Sequence, residues 1–352
     1  NVQFNKHDFN YYGYNQIKQR ALAAEVPKPN LEQTYNRLSG NFKLKSTKRD
    51  SFNIRHEVGL RYQMTSNGSS NTEHNFVSTL NLNQFRNSEL YNLDVGIDYN
   101  QYDFNTDNTI ISLLPQSSSI GDKLRIKAGL GVYVNASYET DFHFQPLAEI
   151  KYNVIEEGLI PYVGVKGEIR RVNYGLITQE NPFVAENIFL ANSNEKYNVY
   201  LGLRGTLSSK FSFNVSGANV KTEGAYLYVQ LPDTNRILSK EYYLTYDEIE
   251  EFRIKGELVY RLNEKVKVYA LGEYFNYDTK VEEQAWHRPE IKISTSARYN
   301  LRKKIYVNLD LIYWGEQYAR GAREVTSNSI TTTEVVANKL DAIFDANIGF
   351  EY

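Results

Sequence analysis

From Phe52 to Met64 the side chains alternate without a break. Phe52, Ile54, Val58, Leu60, Tyr62 and Met64 fall on one face, and Asn53, Arg55, Glu57, Arg61 and Gln63 on the other. His56 is the only polar residue of the first set, and Gly59 fills a place in the second. A period of two is the pleat of a β-strand, because successive side chains leave opposite sides of the backbone. The run is longer than the usual strand of about five or six residues, and its polar face carries full charges. One apolar face, one charged face and about a dozen residues per strand describe a β-barrel whose outside meets lipid and whose lumen meets water. The pattern therefore predicts an all-β fold, a transmembrane antiparallel up-and-down β-barrel.

The same pattern recurs to the last residue. It predicts about sixteen strands (roughly fourteen to eighteen) in a single barrel domain over residues 1–352. The strands are expected over 2–14, 33–46, 52–64, 74–86, 90–102, 109–119, up to 136, 142–154, 159–173, 195–207, 211–223, 249–262, 264–277, 288–301, 304–316 and 339–352. An Ala-rich stretch within 15–30 could make one helical turn ahead of Pro27 and Pro29. Tight turns near 48, 88, 121, 156, 209, 263 and 302 alternate with connections that are mostly longer and polar. Short periplasmic turns and long extracellular loops are the habit of outer-membrane barrels. The loops at 173–194, 224–248 and 317–338 are expected to form the outer mouth. An even strand number places both termini on the short-turn side and lets the first strand pair with the last, leaving no open edge.

Composition excludes several alternatives. A net charge of −2 gives no field that would recruit nucleic acid. The chain has no cysteine, hence no disulfide framework or thiolate metal site. No stretch approaches the roughly 18 apolar residues of a transmembrane helix, and the mean hydropathy of −0.54 is an average that conceals alternating strands. Asn1 is not a natural start, so the sequence reads as a mature or trimmed product. A soluble sandwich would also alternate, but strands of about thirteen residues reach roughly 40 Å and overrun a sandwich core. They suit a tilted membrane crossing. Tyrosine is abundant, 29 of 352 residues. Tyr62, Tyr99, Tyr152, Tyr260, Tyr299 and Tyr313 lie on apolar faces near strand ends, where headgroup-level aromatic belts would place them.

The polar faces are the candidate functional surface. Arg55, Arg61, Arg125, Lys127, Lys166, Arg170, Arg204, Arg253, Lys255, Arg261 and Arg298 are expected to line the lumen with Glu57, Glu168 and Glu257. Arg37, Lys43, Lys292, Asp94, Asp98, Glu149, Glu251, Asp310, Asp341, Asp345 and Glu351 join them on the same register. A mildly cationic wall could favour anionic solutes, although opposite charges could equally pair across neighbouring strands. The five histidines are scattered and announce no active site, so no catalysis and no cofactor are expected. Asp103, Asn105, Asp107 and Asn108 open like a calcium loop, but Asn108 and Leu114 occupy the places of its glycine and glutamate, and no metal is assigned.

Two resemblances add to this reading. Ala342, Phe344, Ala346, Ile348, Phe350 and Tyr352 share a face, which resembles the aromatic-ended terminal strand of outer-membrane barrels, with Phe350 and Tyr352 carrying the signal. That resemblance implies recognition by the barrel-assembly machinery. Asn181-Pro182-Phe183, Glu195-Lys196-Tyr197 and Gly202-Leu203-Arg204-Gly205 resemble the barrel of TonB-dependent receptors. There an Asn-Pro loop precedes a Glu-bearing strand that descends through paired glycines. The Asn/Tyr/Lys-rich style resembles plug-less, receptor-like barrels of Bacteroidota. Together they imply an integral protein of a Gram-negative outer membrane, in contact with lipid and lipopolysaccharide. The expected function is a porin-like or receptor-like channel for small hydrophilic solutes. The alternative is a non-conducting assembly subunit whose tyrosine-rich 224–248 loop binds other outer-membrane or surface proteins.

Overall fold

The computed structural model describes residues 2–10, 32–47, 54–68, 71–155, 158–230, 241–263, 265–301, 304–327 and 330–352. Its strands are β1 (Val2–Asn10), β2 (Glu32–Lys45), β3 (Arg55–Asn67), β4 (Thr72–Arg86), β5 (Glu89–Tyr102), β6 (Asn108–Ile120), β7 (Leu124–Ala136), β8 (Thr140–Tyr152) and β9 (Leu159–Arg170). A helix, α1 (Tyr174–Glu180), precedes β10 (Ser193–Ser208), β11 (Phe211–Gln230), β12 (Tyr242–Arg261), β13 (Val266–Thr279), β14 (Ile291–Leu301) and β15 (Ile305–Trp314). The chain ends with β16 (Gln317–Ser327), β17 (Ile330–Leu340) and β18 (Ile343–Glu351). Strands β1 to β15 and β18 form one sixteen-stranded sheet in chain order, and β16 and β17 form a separate hairpin. Neighbouring strands pair antiparallel throughout. This is the up-and-down, barrel-type sheet that the alternation predicts.

The two faces separate as expected. Phe42, Leu60, Phe76, Ile97, Leu201, Val215, Phe252, Ile254 and Ile293 are exposed on the convex face. A water-soluble sheet would cover such a surface; here hydrocarbon is the environment that suits it. The aromatic belts are visible in the register. Tyr62 stands opposite Phe76, and Phe76 opposite Tyr99, with ring centroids 4.8 and 6.4 Å apart at the long-connection end. Tyr152, Tyr260 and Tyr299 lie at the short-turn end of their strands.

Three expectations need correction. The 224–248 stretch is mostly strand: β11 and β12 are each 20 residues long and stay paired out to Gln230 and Tyr242. A register shift between Thr222 and Ala225, with Gly224 at φ +61°, lets the ladder resume beyond the irregularity. The 317–338 stretch folds into the β16–β17 hairpin rather than an open loop. Finally, no β1–β18 pairing exists among the described residues, so the expected seam between first and last strands is not formed there. The helical turn within 15–30, the turn at 48–50 and the alternating residues Phe52 and Asn53 lie outside the described residues.

Leu258, opposite Phe213 and Ala270, belongs to the convex set, whereas Lys255 pairs with Glu257 at 2.9 Å on the other face. Leu258→Arg is expected to destabilise the inserted protein, by less than the roughly 2–4 kcal/mol of a charge at mid-membrane because Tyr260 of the short-turn belt is two residues away. Lys255→Ala should fold normally in the same heat-modifiability gel. Equal tolerance at both positions would contradict this assignment of faces.

Candidate functional site

The charged residues singled out in the sequence are spread around the sheet rather than gathered at one point. Arg55, Glu57 and Arg61 are on β3, Arg125 and Lys127 on β7, and Lys166, Glu168 and Arg170 on β9. Arg204 is on β10, Arg253, Lys255, Glu257 and Arg261 on β12, and Arg298 on β14. Many have partners. Glu57 meets Lys43, and Lys45 at 3.6 Å. Arg253 meets Glu251 at 3.6 Å, and Lys127 stands opposite Glu149 in register. Arg298 bonds Glu351 at 3.0 Å and lies 4.3 Å from the Tyr306 ring centroid. Arg170 holds both Glu168, at 2.9 Å, and Glu195, whose side chain is 1% exposed. Paired, partly wet charges of this kind contribute little stability each. They give a polar wall of both signs. Phe350 and Tyr352 lie on and just after β18, exposed at 70% and 98%.

Between β4 and β6 the concave wall is built from amides. Asn75 Nδ2 donates to Asp98 at 2.7 Å and also to Asn100, and Asn100 Nδ2 donates to the Tyr102 hydroxyl at 2.7 Å. Nearer the short turns, Asn92 and Gln116 donate to Asp94 at 2.7 and 2.8 Å. Polar groups here satisfy one another across strands, as half-buried donors and acceptors must.

Against this wall lies the element that most shapes the site. The connection between β9 and β10, expected at the outer mouth, folds inward instead. Arg171 pairs with Asp98 at 3.2 Å and also bonds Asn108, fixing the segment's start on β5 and β6. Asn192, near its end, donates to Asn108 at 2.9 Å and Asn135 at 2.7 Å. Between them Asn173 caps α1, its side chain accepting from Leu176 N at 2.8 Å. The first helical amides point at the wall, where the fully buried Glu73 carboxylate accepts from Tyr174 N at 2.6 Å and Gly175 N at 3.3 Å. Arg37 Nη2, from β2, donates to Gly175 O at 3.0 Å and Thr178 Oγ1 at 2.9 Å. A Cβ on Gly175 would lie 2.7 Å from Gln63 Nε2 and 3.0 Å from Thr65 Oγ1, so a larger residue would have to push the Gln63 amide aside and press on Thr65.

Beyond α1 the segment reaches the other side. Tyr226 and Tyr228 of β11 donate to the Glu180 carboxylate at 2.8–2.9 Å. Val184 bridges Tyr242 of β12, and the Tyr246 hydroxyl donates to Phe189 O at 2.9 Å. One stretch that touches β2, β4, β11 and β12 on their concave faces requires the sheet to curl around it. Val172, Tyr174, Ile177, Val184, Ala185, Ile188 and Leu190 bury themselves with Tyr35 and Tyr102 in the resulting core. A second cluster, centred on Trp286 between β13 and β14, packs beside it against Leu227, Val229 and Ile249. In that connection burial holds His287 below the ordinary histidine range, favouring its neutral form.

No family model and no curated protein matches the chain. Solved structures do. The FrpB iron transporter of Neisseria meningitidis aligns with a TM-score of 0.66 at 9% identity, covering 99% of this chain and 61% of that one. The ferric enterobactin receptor PfeA of Pseudomonas aeruginosa aligns at 0.63 and 11% identity, covering 99% and 58%. The pyoverdine receptor FpvA of the same organism aligns at 0.55 and 12%, covering 91% and 55%. The likeness is one of fold. The chain shares the barrel-wall fold of these proteins and spans less than two thirds of their length. Diameter grows with strand number, so sixteen strands that follow such a wall need not bring β1 to β18.

Sequence reasoning found the wall but missed Glu73, Asn173 and Glu180. The available signal was Asn173 ahead of Tyr174-Gly175-Leu176-Ile177, a cap followed by helix-spaced apolar residues. Replacing Glu73 with Ala strands two buried N–H groups, a loss of about 1–3 kcal/mol. Amide exchange across 174–180 is expected to accelerate by roughly five-fold or more while that of β5 stays constant. Unchanged exchange would show that Glu73 does not hold the segment.

Proposed function

We propose that this chain forms the wall of a receptor-like outer-membrane passage for small hydrophilic solutes, with its outer end obstructed by its own segment 171–192. The observation that carries this is the anchoring of one segment to Glu73 and Arg37 on one side and to Tyr226, Tyr228 and Tyr242 on the other. The convex apolar face and the fold shared with outer-membrane receptors support an integral outer-membrane location. Lipid and lipopolysaccharide would then cover that face. The aromatic end at Phe350 and Tyr352 suits recognition by the assembly machinery during insertion.

A purely structural subunit that docks partners through its tyrosines is less well supported. Tyr226, Tyr228 and Tyr246 already bond within the chain. Catalysis is not proposed either: His7, His56, His74 and His143 lie on β1, β3, β4 and β8, and His287 lies in the β13–β14 connection. His74 is bonded to Tyr62 at 2.8 Å and His143 to Asn194 at 3.2 Å.

Single-channel recording in planar bilayers tests the reading. The wild-type protein is expected to show little steady current, and replacement of 174–190 by a Gly/Ser linker of equal length should produce open steps. Large steady currents from the wild type, or silence from the linker variant, would overturn it.

A further inference from the structure

Beneath α1, on the concave face, lies a cavity of about 320 Å³ that none of the interactions above fills. Asn5, Lys6 and His7 of β1 line it with Arg37 of β2 and Thr178 and Gln179 of α1. Register makes this a coherent patch. Asn5 stands opposite Arg37 and His7 opposite Tyr35, so both residues of β1 project to the side on which Arg37 grips the helix. Phe9 stacks 6.0 Å from the His7 ring and 5.5 Å from Tyr35, which fixes the imidazole in the row.

The chemistry of this lining is one-sided. Its lining offers the Arg37 guanidinium and the His7 imidazole, with amide and hydroxyl donors between them, and no carboxylate. Lys6 and Asp8 lie on the opposite face of β1 by register, where they pair with each other at 3.0 Å and Thr34 donates to Asp8 at 2.6 Å. Arg37 makes its two bonds to α1 through Nη2 alone, and its Nε finds no acceptor among the described residues. That nitrogen is sealed from the cavity by protein, so a ligand meets the guanidinium at its terminal nitrogens, and planar guanidinium groups favour bidentate carboxylate or phosphate oxygens.

We infer that this cavity is a binding site for a small organic anion, held by Arg37 and His7 through a carboxylate or phosphate group and oriented by Asn5 and Gln179. The volume suits a solute of a few carbon atoms rather than a large chelate. The inference rests on the reading of the concave face as solute-facing and extends it to a solute class. Because Arg37 also grips α1, a bound anion adds a contact at the point where the inward segment is fastened.

Calorimetric titration of the purified full chain in detergent, using malate, inorganic phosphate and glucose as probes, decides the matter. Malate, phosphate or both should bind, and glucose should not. Binding of only one identifies the carboxylate or the phosphate as the recognised group. His7→Glu, which places a carboxylate in the cavity, should weaken anion binding by about ten-fold or more, as should Arg37→Gln. His7→Glu lies off the inward segment, so it keeps the test decisive if Arg37→Gln loosens α1. Bound anion should also slow amide exchange across 174–180. Failure of both anions to bind, equal binding of glucose, or unchanged affinity in His7→Glu would overturn the inference. The titration needs no transport, so a failed conductance experiment leaves its result standing, and the reverse also holds.

Discussion

Hydrocarbon offers no hydrogen bonds, and every other feature of this molecule follows from that. A backbone amide in the bilayer must find its partner in a neighbouring strand. The continuous ladder from β1 through β15 to β18 is the response. Once strands are locked in register, the pleat commits alternate residues to lipid or to the concave side, and a slip of one residue would exchange the two sets. Phe76 and Asn75, adjacent in the chain, thus face the bilayer and an amide network respectively. Among the described residues the sheet is open at the outer edges of β1 and β18, and its ladder thins to five pairs between β8 and β9; these are therefore the positions in the sheet least compatible with bare lipid.

The concave side answers to a different solvent. Toward the short turns, charges of both signs pair along and across strands, as Lys255 does with Glu257 and Arg298 with Glu351. Toward the outer end, apolar residues of the inward segment displace water. The Glu73 carboxylate is carried into that drier region because α1 brings unsatisfied amides that need an acceptor. From the outer end inward, the concave side therefore changes from a greasy, tyrosine-rimmed core to a wet, ion-paired wall.

Where one face meets lipid and the other water, the sequence states the fold openly, and the sixteen strands of the sheet could be placed from alternation and turn residues alone. Legibility fails where protein covers both faces. In outer β11, Ala225, Leu227 and Val229 bury against Trp286, while Tyr226 and Tyr228 pack toward the inward segment. With both sides covered, the contrast of period two disappears and the stretch reads as a loop. Segment 171–192 was hidden for a related reason: its apolar residues, among them Val172, Ile177 and Leu190, are separated by Asn and Glu, and their common destination is set by distant strands. The β16–β17 hairpin escaped notice because its Ser and Thr residues mimic a polar connection. The charged positions were placed on their strands from sequence, but Glu73 lay at a strand end, one residue outside the expected span 74–86.

Gly175 sets how deeply the helix is seated. A Cβ there would come within about 3 Å of Gln63, Thr65 and Glu73, so the bare backbone leaves those three side chains their places. A single methyl group there would displace the Gln63 amide and crowd Thr65 and the Glu73 oxygen that Gly175 N approaches at 3.3 Å. How closely the helix settles on the wall thus depends in part on an absent group of atoms.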